Sequence, residues 1–166
     1  MAGQTDVIEE RAGLTKAKMP VDIRPLRSAD LADWRGLWAD YLDFYGTSVS
    51  EAVFASTFAR LIGDDPVDFN CLVAVHDGRI VGLTHYLFHR HNWKIENVCY
   101  LQDLYVAADA RGTGAGRALV EGVYDVSKAA GVSSVHWMTQ EDNATARQLY
   151  DRIAGKSEFV QYVRAL

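Results

Sequence analysis

Arg111-Gly112-Thr113-Gly114-Ala115-Gly116 is the segment whose composition points most directly to chemistry. It lies between a strand-like run ending at Val106 and a helical pattern that begins at once after it. Glycines in such a turn let backbone amides face a ligand, and a helix N-terminus adds partial positive charge. The combination is an anion cradle suited to a pyrophosphate. A dinucleotide fingerprint G-x-G-x-x-G is excluded, because its last position falls on Arg117 or Leu119. A Walker A loop is excluded as well, since no G-x-x-x-x-G-K-[ST] occurs in the chain.

Other reactive residues are less organised. His85, His89 and His91 share a face by alternation, but no acidic or cysteine partner stands at ligand spacing, so no metal site is expected. Cys71 and Cys99 each fall inside a strand pattern and read as small buried hydrophobes. Trp34, Trp38 and Trp93 are candidates for an amine pocket by cation–π contact. The three- and four-residue spacing of Trp34 and Trp38 favours core packing instead.

The elements that must position these residues follow from periodicity. Val21–Arg27 alternates as a strand, and Pro25 demotes it to an edge. Ser28 is a candidate N-cap, with Asp30 favourable in the first turn. Leu31, Trp34, Trp38, Tyr41 and Tyr45 then define one helix face, closed by Gly46. A second helix is expected over 50–62. Cys71–His76, the turn Asp77-Gly78 and Ile80–His89 form a hairpin, and Val98–Val106 a further strand. Leu119, Val123, Val126 and Ala130 mark a helix capped by Gly131. Ser134–Thr139, Asn143–Ile153 and Ser157–Arg164 read as strand, helix and final strand. The expected fold class is α/β, a mixed central sheet in the order β-α-α-β-β-β-α-β-α-β with helices on both faces.

Composition bounds the partners. The chain has 166 residues, 49% of them hydrophobic, with 22 acidic against 17 basic residues for a net charge of −5. No basic stripe supplies the footprint of a nucleic-acid binder. No apolar run reaches membrane-span length. Residues 1–20 read as a disordered N-terminal extension without the apolar core of a secretory signal, and residues 21–166 as one domain. A cytoplasmic location is expected. Between Asp30 and Asp68, eight acidic residues face only Arg35 and Arg60, a net −6 that would draw a cationic partner unless it is simply a solvated face.

Arg111, Gly114 and Gly116, preceded by Leu104-Tyr105-Val106 and followed by Arg117-Ala118-Leu119, resemble the pyrophosphate-binding motif R-x-x-G-x-G of GNAT acetyltransferases. Asn143-Ala144-Thr145-Ala146-Arg147-Gln148-Leu149-Tyr150 resembles the second motif of that superfamily, N-x-x-A-x-x-x-Y. Trp34-Arg35-Gly36-Leu37-Trp38 and Leu101-Gln102-Asp103-Leu104-Tyr105-Val106 are most similar to the fungal histone-and-polyamine acetyltransferases and their bacterial relatives.

The resemblance implies a GNAT fold and transfer of an acetyl group from acetyl-CoA to a primary amine by direct attack. It implies that acetyl-CoA lies where the strand ending at Val106 splays from the strand ending at Thr139. Leu104, Tyr105 and Val106 would hold the pantetheine arm. The amides of Gly112, Thr113, Gly114, Ala115, Gly116 and Arg117, with Arg111, would hold the pyrophosphate, and Asn143 would bond the cofactor. Tyr150 is implied as the general acid toward sulfur, the alternative being a core tyrosine. Gln102 has no titratable group and cannot be a base. Asp103 remains, on the opposite face, either to orient the amine or a water or to cap backbone. The acceptor is expected to be cationic, a polyamine-like molecule or a protein lysine, and a homodimer is possible. A non-catalytic acyl-CoA sensor is the competing reading.

Overall fold

The computed structural model describes residues 20–166; the expected N-terminal extension lies almost wholly outside the described residues. Among the described residues, strand β1 (Asp22–Pro25) pairs only with β2 (Asn70–His76), so Pro25, which cannot donate to a ladder, sits on an edge. Helices α1 (Leu31–Phe44) and α2 (Glu51–Leu61) intervene. The hairpin of β2 and β3 (Arg79–His89) turns at Asp77 and Gly78, with φ of +51° and +75°. Two positive φ values match the right-handed twist of the flanking strands, hence an acidic residue followed by glycine. Then come β4 (Val98–Val106), α3 (Ala115–Ala129), β5 (Val135–His136) and α4 (Ala144–Ile153). The sheet order is β1-β2-β3-β4-β5, antiparallel except for β4 and β5, which are parallel and joined across α3.

Each face of the sheet carries its own core. On one, Trp34, Leu37 and Trp38 of α1 and Phe54, Phe58 and Leu61 of α2 pack on Cys71, Val73 and Leu83. On the other, Leu119, Val120 and Val123 of α3 pack on Leu72, Ala74, Cys99 and Leu101. The two cysteines are free and buried, as their strand positions imply.

Three local expectations are corrected. Ser28 does not cap α1: residues Ser28–Asp30 make a 3-10 turn, and Asp30 stands at the cap without bonding the helix. The Asp30 carboxylate instead accepts both Arg24 guanidinium nitrogens, at 2.7 and 3.0 Å, and the Arg27 amide at 2.8 Å. The bond from Arg24 is the leading cause that lowers the carboxyl's pKa. β5 is shorter than expected, because its ladder to β4 ends at Tyr100 and His136 and the two chains then diverge. Finally, residues 157–164 form no strand. A strand needs a neighbour's backbone groups, and two paired residues of β5 offer almost none. Phe159, Val160, Tyr162 and Val163 are left exposed.

Candidate active site

The glycine segment joins a 3-10 turn (Ala108–Ala110) to α3. Gly112 and Gly114 have φ of +77° and +95°, the left-handed region that a side chain enters only with strain. Gly114 is the residue before the helix, so the first amides of α3 emerge from the turn unpaired within the helix. Thr113 braces the turn: its hydroxyl donates to the Ala110 carbonyl at 2.7 Å and accepts the Ala115 amide at 3.4 Å. It does not line the adjoining cleft, whereas Arg111, Gly112, Gly114, Ala115, Gly116 and Arg117 do. Gly114→Ala strains the turn by about 1–2 kcal/mol. If that strain is relieved by distorting the cradle, acetyl-CoA affinity falls by about tenfold; isothermal titration of the cofactor measures it.

The cleft holds about 480 Å³. Leu104, Tyr105 and Val106 of β4 form one wall, and Asn143, Ala146, Leu149 and Tyr150 another. It exists because β4 runs six residues past its last pairing with β5, which leaves alternate backbone groups of that stretch directed into the gap. The Asn143 side chain is largely committed to the fold. It accepts the Ala146 amide at 3.2 Å as N-cap of α4, and donates to Thr139 Oγ1 at 3.3 Å. One amide hydrogen remains for a ligand. The Tyr150 ring packs edge-on against Trp137 with centroids 5.4 Å apart. Burial, with a smaller contribution from Tyr45, pushes its phenol up to about 12, so it carries its proton throughout the neutral range.

Tyr41 and Phe44 of α1, with Tyr45 at its C-cap, close the cleft. The sequence reading placed Tyr41 and Tyr45 on the helix face of Trp34 and Trp38 and left them there. Their i, i+4 spacing carries no sign that the last turn of α1 overhangs a cleft rather than the core.

Asp103 sits beneath these tyrosines, 6% exposed and outside the cleft lining. A bulge between the pairs His85–Asp103 and Tyr86–Leu101 leaves Gln102 unpaired and exposed. That extra residue reverses the alternation and turns Asp103 to the α1 side, while Leu101 stays on the α3 side. There the carboxylate meets His85 Nδ1 at 2.8 Å, and His85 Nε2 accepts the Trp34 indole N–H at 2.9 Å. Burial, and after it the charge of nearby Asp103, push the Tyr41 phenol's pKa upward.

A glycine cradle at a helix N-terminus, the end of β4 beyond its pairing with β5, and a half-buried phenol of α4 form one continuous site. The profile of the Acetyltransferase (GNAT) family matches residues 32–155. The chain belongs to the GNAT acetyltransferase family. It is 35% identical over 143 residues to a D-amino-acid N-acetyltransferase of Saccharomyces cerevisiae, covering 86% of this chain and 89% of the relative. Among solved structures it is similar to a ribosomal-protein-alanine N-acetyltransferase from Brucella melitensis, at 22% identity and a TM-score of 0.74, over 89% and 99% of the two chains. It is also similar to AAC(6')-Iy in complex with the bisubstrate analogue CoA-S-monomethyl-acetylneamine, at 18% identity and a TM-score of 0.76, over 89% and 99%. GNAT acetyltransferases use acetyl-CoA, and the cradle, cleft and phenol fit it.

In this GNAT acetyltransferase the acidic wall is thinner than its sequence count. Asp30 is bonded to Arg24, Glu51 to Arg35, and Asp68 lies 3.9 Å from Arg60. What remains by the cleft is Asp40 and Asp43, whose fields act on Tyr105. The three histidines do not converge. His85 is in the core, His89 stands by His136 with ring centroids 5.4 Å apart, and His91 by Trp93. Trp93 is 83% exposed and outside the cleft lining, while Trp34 and Trp38 belong to the core.

Proposed function

We propose that this acetyltransferase acetylates the primary amine of a small amino-acid-like acceptor by direct attack on the acetyl thioester. The observation that carries the reading is the single cleft shared by the glycine cradle, the Tyr150 phenol and the Tyr45 hydroxyl. In this reading the amides of Gly114, Gly116 and Arg117, with Arg111, hold the pyrophosphate, and the helix N-terminus favours its charge. The backbone of Leu104, Tyr105 and Val106 holds the pantetheine arm, helped by the spare Asn143 amide hydrogen. Tyr150 gives its proton to the departing sulfur. Asp103 lies outside the cleft lining, beside His85, and its charge acts on Tyr41 in that lining.

The similarity to the yeast D-amino-acid N-acetyltransferase supports an amino-acid amine as acceptor. A cationic acceptor, a polyamine or a protein lysine, is the second reading. It draws on Asp40 and Asp43 beside Tyr105, and on the resemblance of the α1 and β4 motifs to the fungal histone-and-polyamine enzymes. The test is release of CoA thiol from acetyl-CoA against D-alanine, D-phenylalanine, their L forms, spermidine and a lysine-rich peptide. Turnover concentrated on the amino acids supports the first reading, and turnover concentrated on spermidine or the peptide replaces it with the second. Tight acetyl-CoA binding without turnover of any amine restores the sensor reading. The reading extends to a homodimer through the apolar C-terminal segment. Its exposed Phe159, Val160, Tyr162 and Val163 support it.

A further inference from the structure

Beyond the cofactor cleft the fold holds a second cavity of about 550 Å³. Trp137 and Thr139, in the chain that continues β5, form one side of it. Arg147 and Tyr150 of α4 form another, and Phe159 of the C-terminal segment a third. The two cavities meet along α4. Ala146, Leu149 and Tyr150, spaced by three and four residues, line the first. Arg147, Tyr150, Asp151 and Ala154, at like spacings, line the second. A helix puts residues so spaced on one stripe, and here two neighbouring stripes share a border. Tyr150 stands on that border and is the one described residue common to both linings. A ligand of the second cavity therefore comes up to the same phenol as a ligand of the first.

The charged groups of the second cavity are unequally placed. Glu141, Asp151, Lys156 and His136 are exposed, so water weakens their fields. Arg147 is half-buried, where the effective dielectric is lower and a charge acts more strongly. Its Nη1 donates to the Glu141 carbonyl at 2.5 Å, which orients the guanidinium without neutralising it. No carboxylate among the described residues forms an ion pair with it. Nε and Nη2 remain, and their parallel N–H groups match the two oxygens of a carboxylate. Arg147 and Tyr150 lie three residues apart on α4, a spacing of about 5–6 Å between Cβ atoms. An α-amino acid, with one carbon between amine and carboxylate, fits so short a span. A polyamine offers Arg147 no anion.

We propose that Arg147 is the carboxylate-binding residue of this second cavity, which takes an α-amino acid with its amine toward Tyr150. The proposal rests on the amino-acid reading of the acceptor and names the group that recognises it. Trp137, edge-on to Tyr150 with ring centroids 5.4 Å apart, offers an apolar surface to the acceptor's side chain. The carboxylate stands apart from the bonds that change. Its grip is therefore equal in the ground and transition states, and Arg147 sets KM rather than kcat.

The experiment compares alanine with alaninamide of the same hand as acceptors, since the amide keeps the amine and loses the carboxylate. Arg147→Gln raises KM for alanine by about tenfold to a hundredfold, the worth of a charged hydrogen-bonded pair, with kcat within about threefold. Its KM for alaninamide and its acetyl-CoA affinity stay within about twofold of wild type. Setting variant against wild type for each acceptor cancels the different basicity of the two amines. Arg147→Lys keeps the charge without the planar fork and recovers part of the loss. Arg152 is exposed and lines neither cavity, so Arg152→Gln removes the same charge from the same helix and leaves both acceptors unchanged. Equal losses on alanine and alaninamide make Arg147 a brace of the Glu141 turn and overturn the proposal. An unchanged KM for alanine, or a matching loss in Arg152→Gln, overturns it too. Failure of wild type to acetylate either hand of alanine is a different result, which overturns the amino-acid reading itself and the carboxylate site with it.

Discussion

Tyr150→Phe lowers kcat for acetyl transfer by about a hundredfold, with acetyl-CoA affinity changed less than about twofold. The size follows from what a positioned general acid contributes, about 10²–10⁴ in rate. The lower end applies because a phenol held up at about 12 is a weak acid toward a thiolate and acts chiefly by donating a hydrogen bond as charge develops on sulfur. Binding is spared because the ring stays. Its edge-on contact with Trp137 is apolar, and phenylalanine keeps it. Single-turnover kinetics with saturating cofactor is the measurement, since it isolates the chemical step from product release. The wild-type rate shows no alkaline fall from Tyr150 within the neutral range, because its raised pKa keeps the donor protonated until far above it. A kcat within about threefold of wild type for the phenylalanine variant would return Tyr150 to the role of a packing residue and leave the sulfur to solvent.

Trp34→Ala destabilises the fold by about 3–5 kcal/mol, the range for truncating a large buried aromatic. Trp34 is 0% exposed and lies between the rings of Trp38, Phe54, Phe58 and His85, at centroid distances of 5.2, 6.2, 5.1 and 6.1 Å. Alanine there empties the centre of the α1–α2 core and also strands His85 Nε2, a buried acceptor left without its donor. For a domain of this size each kcal/mol moves the melting temperature by about 2–4 °C, so differential scanning calorimetry should find a drop of about 10 °C. Trp93→Ala is the contrast. At 83% exposure it should change stability by less than about 0.5 kcal/mol. Equal losses for the two variants would mean that burial is not what Trp34 contributes.

The two tryptophans also mark the boundary of what a linear reading can resolve. That Trp34 belongs to a core follows from its spacing to Trp38, because a helix fixes which residues share a face. That its indole nitrogen governs a histidine 51 residues away does not, since the contact exists only once α1 has docked on β3. The His85 reading shows the same limit. By alternation it was grouped with His89 and His91, yet its partners came from two other elements.

Short-range chemistry was therefore legible in the sequence alone. The glycine turn, the hairpin at Asp77-Gly78, the cap at Gly131 and the placement of Tyr150 on the face of Ala146 and Leu149 depend on residues within a few positions of one another. The α/β class followed from periodicity of this kind, and the family from the resemblance of segments 111–116 and 143–150 to the GNAT motifs. Tertiary structure decided what depends on pairing between distant segments. The bulge at Gln102 exists because β3 and β4 slip by one residue against each other, and that slip alone turns Asp103 toward α1 and away from Leu101. The short ladder of β5 opened the cleft and left residues 157–164 without a strand partner, although their composition suits one. A residue's type and neighbours set what it can do. The register between neighbouring strands set which groups reach it, because a one-residue change there exchanges every side chain between faces.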